Sequence, residues 1–185
     1  MTSIPGIYAS QISGHLWAPS GAYDSIATVT VGAGGASSIT FSSIPSTYTH
    51  LQIRVLARSG ASADDFRFQL NGDTGANYSR HGLYGTGSAA AANGVVSSGV
   101  GNLGVIDNTA SVFSVAVVDI LDYTNTNKYT TVRTLNGYDA NGSGYVFLAS
   151  TAWMNTAAVT SITLFPSGSS FQQYSSFALY GIRGN

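Results

Sequence analysis

Cysteine is absent from this 185-residue sequence. Disulfides and thiolate metal sites are therefore excluded, and the redox compartment is unreadable. Glutamate is also absent, all eight acids are aspartates, and Lys128 is the single lysine. Charged residues make up 8% of the chain, against about 25% in ordinary soluble domains. A helix on a soluble surface needs a charged outer face, usually built from Glu and Lys. This chain has almost none to supply. The formal net charge is −1, with no basic surplus to neutralise phosphates, so no nucleic-acid partner is expected. No stretch approaches the ~18 consecutive apolar residues of a membrane span, so no membrane association is expected. The N-terminus, MTSIPGIYASQISGHLWAPSG, has neither a positive n-region nor a long apolar run and does not read as a signal peptide. Synthesis in a cytoplasm is the expectation. A surface this poor in charge gives little colloidal protection to a free monomer, which favours life in an assembly.

Hydrophobic residues are 44% of the chain, and Ser, Thr, Gly and Asn fill much of the remainder. These are the materials of strands and turns. Alternation is clearest at THLQIRVLAR (49–58), where Leu51, Ile53, Val55 and Ala57 share one face and Gln52, Arg54 and Arg58 the other. SIATVTV (25–31), SSITFSSI (37–44) and FRFQL (66–70) read the same way, separated by GAGGA and the polar loop 59–65. SVFSVAVVDIL (111–121) is apolar on both faces and pairs with YTTVRTLNGYD (129–139) as a hairpin; YVFLASTAWM (145–154) and AVTSITLF (158–165) follow. SSFALYGI (175–182) ends the pattern and is also apolar on both sides, as a strand paired centrally in a sheet would be. Residues 78–110 are Gly-rich and weakly patterned, with a short helical turn expected at Ala89–Ala92. The expected fold is all-β: an antiparallel β-sandwich, jelly-roll-like, of about eight to ten strands over residues 24–185. Residues 1–23, punctuated by Pro5-Gly6 and Pro19-Ser20-Gly21, read either as an extended N-terminal arm or as a first strand of the domain.

No catalytic constellation emerges, and the chain reads as a non-enzyme. His15, His50 and His81 have no partner at metal-ligand spacing. Asp73 in NGDTG and Asp139 in DANGSG sit in oxygen-rich loops that lack the spacing and closing Glu of a calcium loop. Asp in such turns usually accepts backbone N–H bonds. A carboxylate pair for glycoside hydrolysis, from among Asp64, Asp65, Asp73, Asp119, Asp122 and Asp139, requires a cleft that spacing does not reveal. GAGGAS falls short of a dinucleotide fingerprint, because Ser37 holds the third Gly position and no helix follows. No cofactor and no metal are expected.

Three stretches, NGDTGANYSRHGLYG, VDILDYTNTNKYTTVRTLNG and the closing SSFALYGIRG, resemble small β-rich virion structural proteins of tailed bacteriophages, found as head-decoration or tail-fibre-like components. The likeness covers residues 37–185. It implies a virion component, commonly a homotrimer, with no catalytic residues to carry over. The reading that follows is a capsid decoration or cement protein. It would pack on the major capsid protein through its sandwich and an arm whose Ile7, Tyr8, Leu16 and Trp17 are interface residues. The alternative is the receptor-binding tip of a tail fibre or tailspike, with loops carrying Tyr78, Tyr84, Tyr123 and Tyr138 in contact with host surface polysaccharide.

Overall fold

The computed structural model describes residues 22–184, and those residues form twelve antiparallel strands in two facing sheets with no helix. In chain order they are β1 (Tyr23–Thr30), β2 (Ile39–Phe41), β3 (His50–Ala57), β4 (Asp64–Leu70), β5 (Tyr78–Gly85) and β6 (Ala90–Ser98). Then come β7 (Gly101–Ile106), β8 (Ser114–Leu121), β9 (Thr130–Asp139), β10 (Gly144–Trp153), β11 (Ile162–Pro166) and β12 (Ser176–Ile182). The large sheet runs β1-β12-β3-β8-β9-β10-β5-β6 and the small sheet β2-β11-β4-β7.

Eight of these strands form a jelly roll. β1-β12-β3-β8 faces β2-β11-β4-β7, and the chain passes between the two sheets in the double Greek-key order of that fold. The other four are two hairpins, β5–β6 and β9–β10, inserted between jelly-roll strands and added to one edge of the large sheet. The β9–β10 hairpin turns at Asn141-Gly142, where both residues take positive φ (54° and 111°), as tight hairpin turns require.

The inner faces follow the alternation in the sequence. Leu51, Ile53, Val55 and Ala57 of β3 and Phe66, Phe68 and Leu70 of β4 are all buried. They meet Leu164, Phe171, Phe177 and Leu179 in one core. β12 lies between β1 and β3, with Phe177 and Leu179 in that core and Ala178, Tyr180 and Ile182 half-buried on the outer side. β12 is thus an interior strand of its sheet, and its outer side chains are partly covered by those of the flanking strands, as Tyr180 is by Tyr23 and Arg54.

Two expectations need correction. The strand count is twelve rather than eight to ten, and the Gly-rich segment 78–110 holds three strands, β5, β6 and β7. Residues 90–92 lie in β6 and pair with Gly85, Tyr84 and Leu83, so no helical turn forms there. Pairing with β5 satisfies their backbone groups, and this outweighs alanine's local helical preference.

Candidate functional site

Neighbours in register across a sheet point to the same side, so the pairing fixes what the outer face of the large sheet presents. One row across it reads Leu56, Val115, Gly137, Val146, Gly85, Ala90. The next reads Arg54, Val117, Leu135, Leu148, Leu83, Ala92. Leu56, Leu83, Val115, Leu135, Val146 and Leu148 are each between 48% and 60% exposed. They form an apolar stripe five strands wide, on the order of 20 Å at the usual strand spacing. Six half-exposed side chains of this size offer roughly 500 Å² of apolar surface, at the upper end of what monomers leave open. A third row, Gln52, Asp119, Arg133, Ser150, His81, borders the stripe with polar groups of both signs. At the other end of the sheet the Arg54 guanidinium lies 5.6 Å from the ring centres of both Tyr23 and Tyr180, which cover its flanks.

A second feature lies on the inner face. β6 is at the edge of the large sheet, and every residue from Ala90 to Ser97 is exposed. The β5–β6 hairpin therefore extends past the small sheet, and a cleft of about 250 Å³ opens between it and the β4–β7 edge, lined by Asp65, Arg67, Arg80, Val95, Asn102 and others. The Arg80 guanidinium sits 5.1 Å from the ring centre of Phe147 and donates to Asn93 Oδ1 at 3.2 Å. Phe147 packs against Gly82, where a Cβ would come within 2.5 Å of the ring, so any side chain there would displace it. Further along the same face Tyr84 and Tyr145 stack with centres 5.6 Å apart, and Tyr145 pairs across the strand with Tyr138. The turns after β5 and β9 close a second depression beside Tyr138 and Tyr145. Burial raises the hydroxyl pKa of Tyr145, opposed by Arg80, and burial with the nearby Asp107 raises that of Tyr138.

Two of the four tyrosines expected to contact glycan are thus brought together, Tyr84 and Tyr138. The other two are corrected. Tyr78 is buried, with its ring edge-on to Phe68 at 5.8 Å. Its hydroxyl accepts the Leu70 N–H at 2.9 Å and donates to the Asp73 carbonyl, and burial pushes its pKa up to about 12. Tyr123 is also buried, and its hydroxyl donates to the Pro45 carbonyl. Neither ring has a free face for a sugar, because each tyrosine staples a loop to the core. The arm residues Ile7, Tyr8, Leu16 and Trp17 lie outside the described residues. Leu135, Leu148, Arg80 and Tyr145 are the site residues that the sequence pattern missed. The apolar outward positions of β9 and β10 carried a signal for the first two.

The aspartates have structural partners. Asp64 is buried, and burial alone would raise its pKa, but bonds from Ser59, Ser167, Ser169 and the Gly168 N–H outweigh that and lower it. Asp73 accepts from Asn77, the Trp153 indole N–H and the Gly75 N–H, which lower its pKa. Asp122 accepts from Lys128, and Asp119 accepts from Gln52. His50 Nδ1 accepts the Asp122 N–H, and His81 stands exposed in the polar border row. Among the described residues no group of three or more His or Asp side chains is placed to hold a metal ion. No helix there is long and apolar enough to cross a membrane. Comparison with protein-family models, with curated proteins and with solved structures finds no match to the chain.

Proposed function

We propose that this chain is a non-enzymatic structural protein of a tailed-bacteriophage virion, a capsid decoration protein that assembles with copies of itself. The apolar stripe on the outer face of the large sheet carries the reading. A lone subunit leaves it in water with no internal use. The occupant we assign to it is a second copy of the chain, within a homotrimer. The stripe supplies about two-thirds of the roughly 800 Å² that one partner buries in a standard interface. Its border row, with Asp119 and Arg133, supplies the polar rim such an interface needs. Attachment to the shell is assigned to residues 1–23, as their Ile7, Tyr8, Leu16 and Trp17 suggest.

Sedimentation of the intact chain tests the first part. The parent protein is expected to sediment as an oligomer, and Leu135→Glu with Leu148→Glu as a folded monomer. A monomeric parent at micromolar concentration would remove the stripe as a self-interface. Electron cryo-microscopy of purified particles tests the second. Density is expected at many symmetric positions on the head. Density confined to the tail would shift the reading to adsorption.

A further inference from the structure

The overhanging hairpin asks for an explanation that self-packing does not provide. β5–β6 contributes little to the core beyond Tyr78, yet its inner face is furnished with an ordered set of aromatic and cationic groups. We propose that the inner face of this hairpin binds an acidic glycan, whose charged group sits at Arg80 and Arg67 in the cleft against the β4–β7 edge and whose next units lie over the neighbouring Tyr84–Tyr145 stack, outside the cleft itself.

Charge selects the ligand class. The chain has seven cationic side chains and a net charge of −1. Two of those cations, Arg67 and Arg80, face this one cleft with a single carboxylate, Asp65, between them. Arg67 Nη2 meets Asp65 Oδ2 at 2.9 Å, and Arg80 Nη1 donates to Asn93. A guanidinium has five N–H donors in a planar fork that matches a carboxylate. Both forks thus keep donors for a ligand, and the cleft has a local surplus of one positive charge.

The aromatic groups select a sugar as the carrier of that carboxylate. Tyr84 and Tyr145 are half-buried and follow Arg80 along this face, while Phe147, buried beneath Arg80 with its ring centre 6.1 Å from that of Tyr145, supports them from below. Aromatic rings with polar tips suit pyranose units, whose C–H faces are apolar and whose edges carry hydroxyls. Tyr138 and the Gly- and Ser-rich turns at 85–88 and 139–144 continue the floor into the second depression. Arg80 to Gly85 spans about 17 Å along β5 at the usual strand rise, a length suited to a short oligosaccharide rather than one sugar. Tyr138 was legible as a candidate in the sequence; its company of Arg80, Tyr145 and Phe147 follows only from the register of β5, β9 and β10.

This inference stands apart from the packing reading, because the groove and the stripe are on opposite faces. Isothermal titration of the intact chain tests it with three probes: tetragalacturonate, the neutral maltotetraose and inorganic phosphate. Tetragalacturonate is expected to bind at least about tenfold tighter than maltotetraose, and more weakly as salt rises. Arg80→Met and Tyr84→Ala are each expected to weaken it by about tenfold or more. Arg80→Lys, which keeps the charge and loses the fork, is expected to fall between. Arg67→Met serves in place of Arg80→Met if the loss of the Phe147 contact unfolds the hairpin, with thermal melting as the check. No binding of tetragalacturonate up to about 5 mM would overturn the proposal. So would equal binding of maltotetraose. Competition by phosphate together with an unaffected Tyr84→Ala would reduce the cleft to a simple anion site and overturn it as well.

Discussion

The two sheets share an alternating pattern and a common core, but they differ on their outer faces. On the small sheet the outward residues are Thr40, Thr163, Gln69, Arg67, Asp65 and Asn102, the last three at the rim of the cleft, with half-buried Phe165 and Val105 the apolar exceptions. Thr40 and Thr163 hydroxyls bond to each other across the strands at 3.1 Å, and Arg67 pairs with Asp65. On the large sheet two adjacent outward rows are mainly Leu and Val across β3, β8, β9, β10 and β5, broken only by Arg54, Gly137 and Gly85, before the polar row begins. An antiparallel sheet with one face in water alternates apolar-in and polar-out. The small sheet obeys that rule and the large one breaks it. On the reading proposed above, the large sheet has two buried faces in its working state, one against the small sheet and one against a second copy of the chain.

The sharpest test sets the same substitution on the two kinds of face. Leu164 in β11 is fully buried, whereas Leu135 in β9 is 55% exposed. Leu164→Ala is expected to cost about 2–5 kcal/mol through lost transfer energy and a residual cavity. Leu135→Ala is expected to cost less than about 0.5 kcal/mol in a monomer. Urea unfolding at low protein concentration measures both. If Leu135→Ala proves as costly as Leu164→Ala in a chain shown to be monomeric, the stripe is part of the fold and not a docking face.

A second break falls on the loops that hold the small sheet in place. Asp64 Oδ1 accepts the Ser167 and Gly168 N–H groups at 3.0 and 2.9 Å, while Oδ2 accepts from Ser59 and Ser169. Asp64→Ala leaves several of these donors buried without a partner, at an expected cost of about 3 kcal/mol. The acid limb of stability has a definite sign. Asp64, Asp73 and Asp107 all have lowered pKa values in the folded chain. The unfolded chain therefore binds protons first as the pH drops. The stability these carboxylates contribute is fully present above their unfolded value of about 3.9 and is lost as the pH falls through the folded values. The melting temperature should be level from pH 7 to about 5 and decline below about 4. Asp64→Ala should shallow that decline, and an unchanged acid limb would show that Asp64 is not among its causes.

Most strands were legible because inward and outward residues differ in polarity, as in β3 and β4. The segment 78–110 was not. β6 has neither face buried, so no periodicity marks it, and its strand conformation comes from pairing with β5 alone. The stripe was half visible: Val115 and Val117 read as apolar opposite Ala116 and Val118, but nothing local distinguishes a second buried face from an open one. The groove was hidden further, since Arg80, Phe147 and Tyr145 are far apart in sequence and meet only through the β5–β10 register. Tyr78 and Tyr123 misled because loop-flanking tyrosines serve equally as surface contacts and as buried staples, and only the hydroxyl's partner separates the two roles.

The smallest expected effect is also the most discriminating for the comparison of faces. Thr163→Leu together with Thr40→Leu places two leucines side by side on the small sheet, in register, as Leu135 and Leu148 are on the large one. Stability is expected to change by only about 0.5 kcal/mol, since the lost hydroxyl pair and the gained apolar pair are of similar size. The sedimentation of the protein is expected to stay the same. Next to the new leucines lie Gln69 and, one residue pair along, Arg67, so the added apolar surface would end after two strands. The native stripe continues through Val117, Leu148 and Leu83 on either side of Leu135. If the double variant forms higher oligomers than the parent, exposed leucine alone drives association, and the breadth of the large-sheet stripe loses its significance. If it does not, continuity across several strands is what makes one face of this sandwich an interface and leaves the other in water.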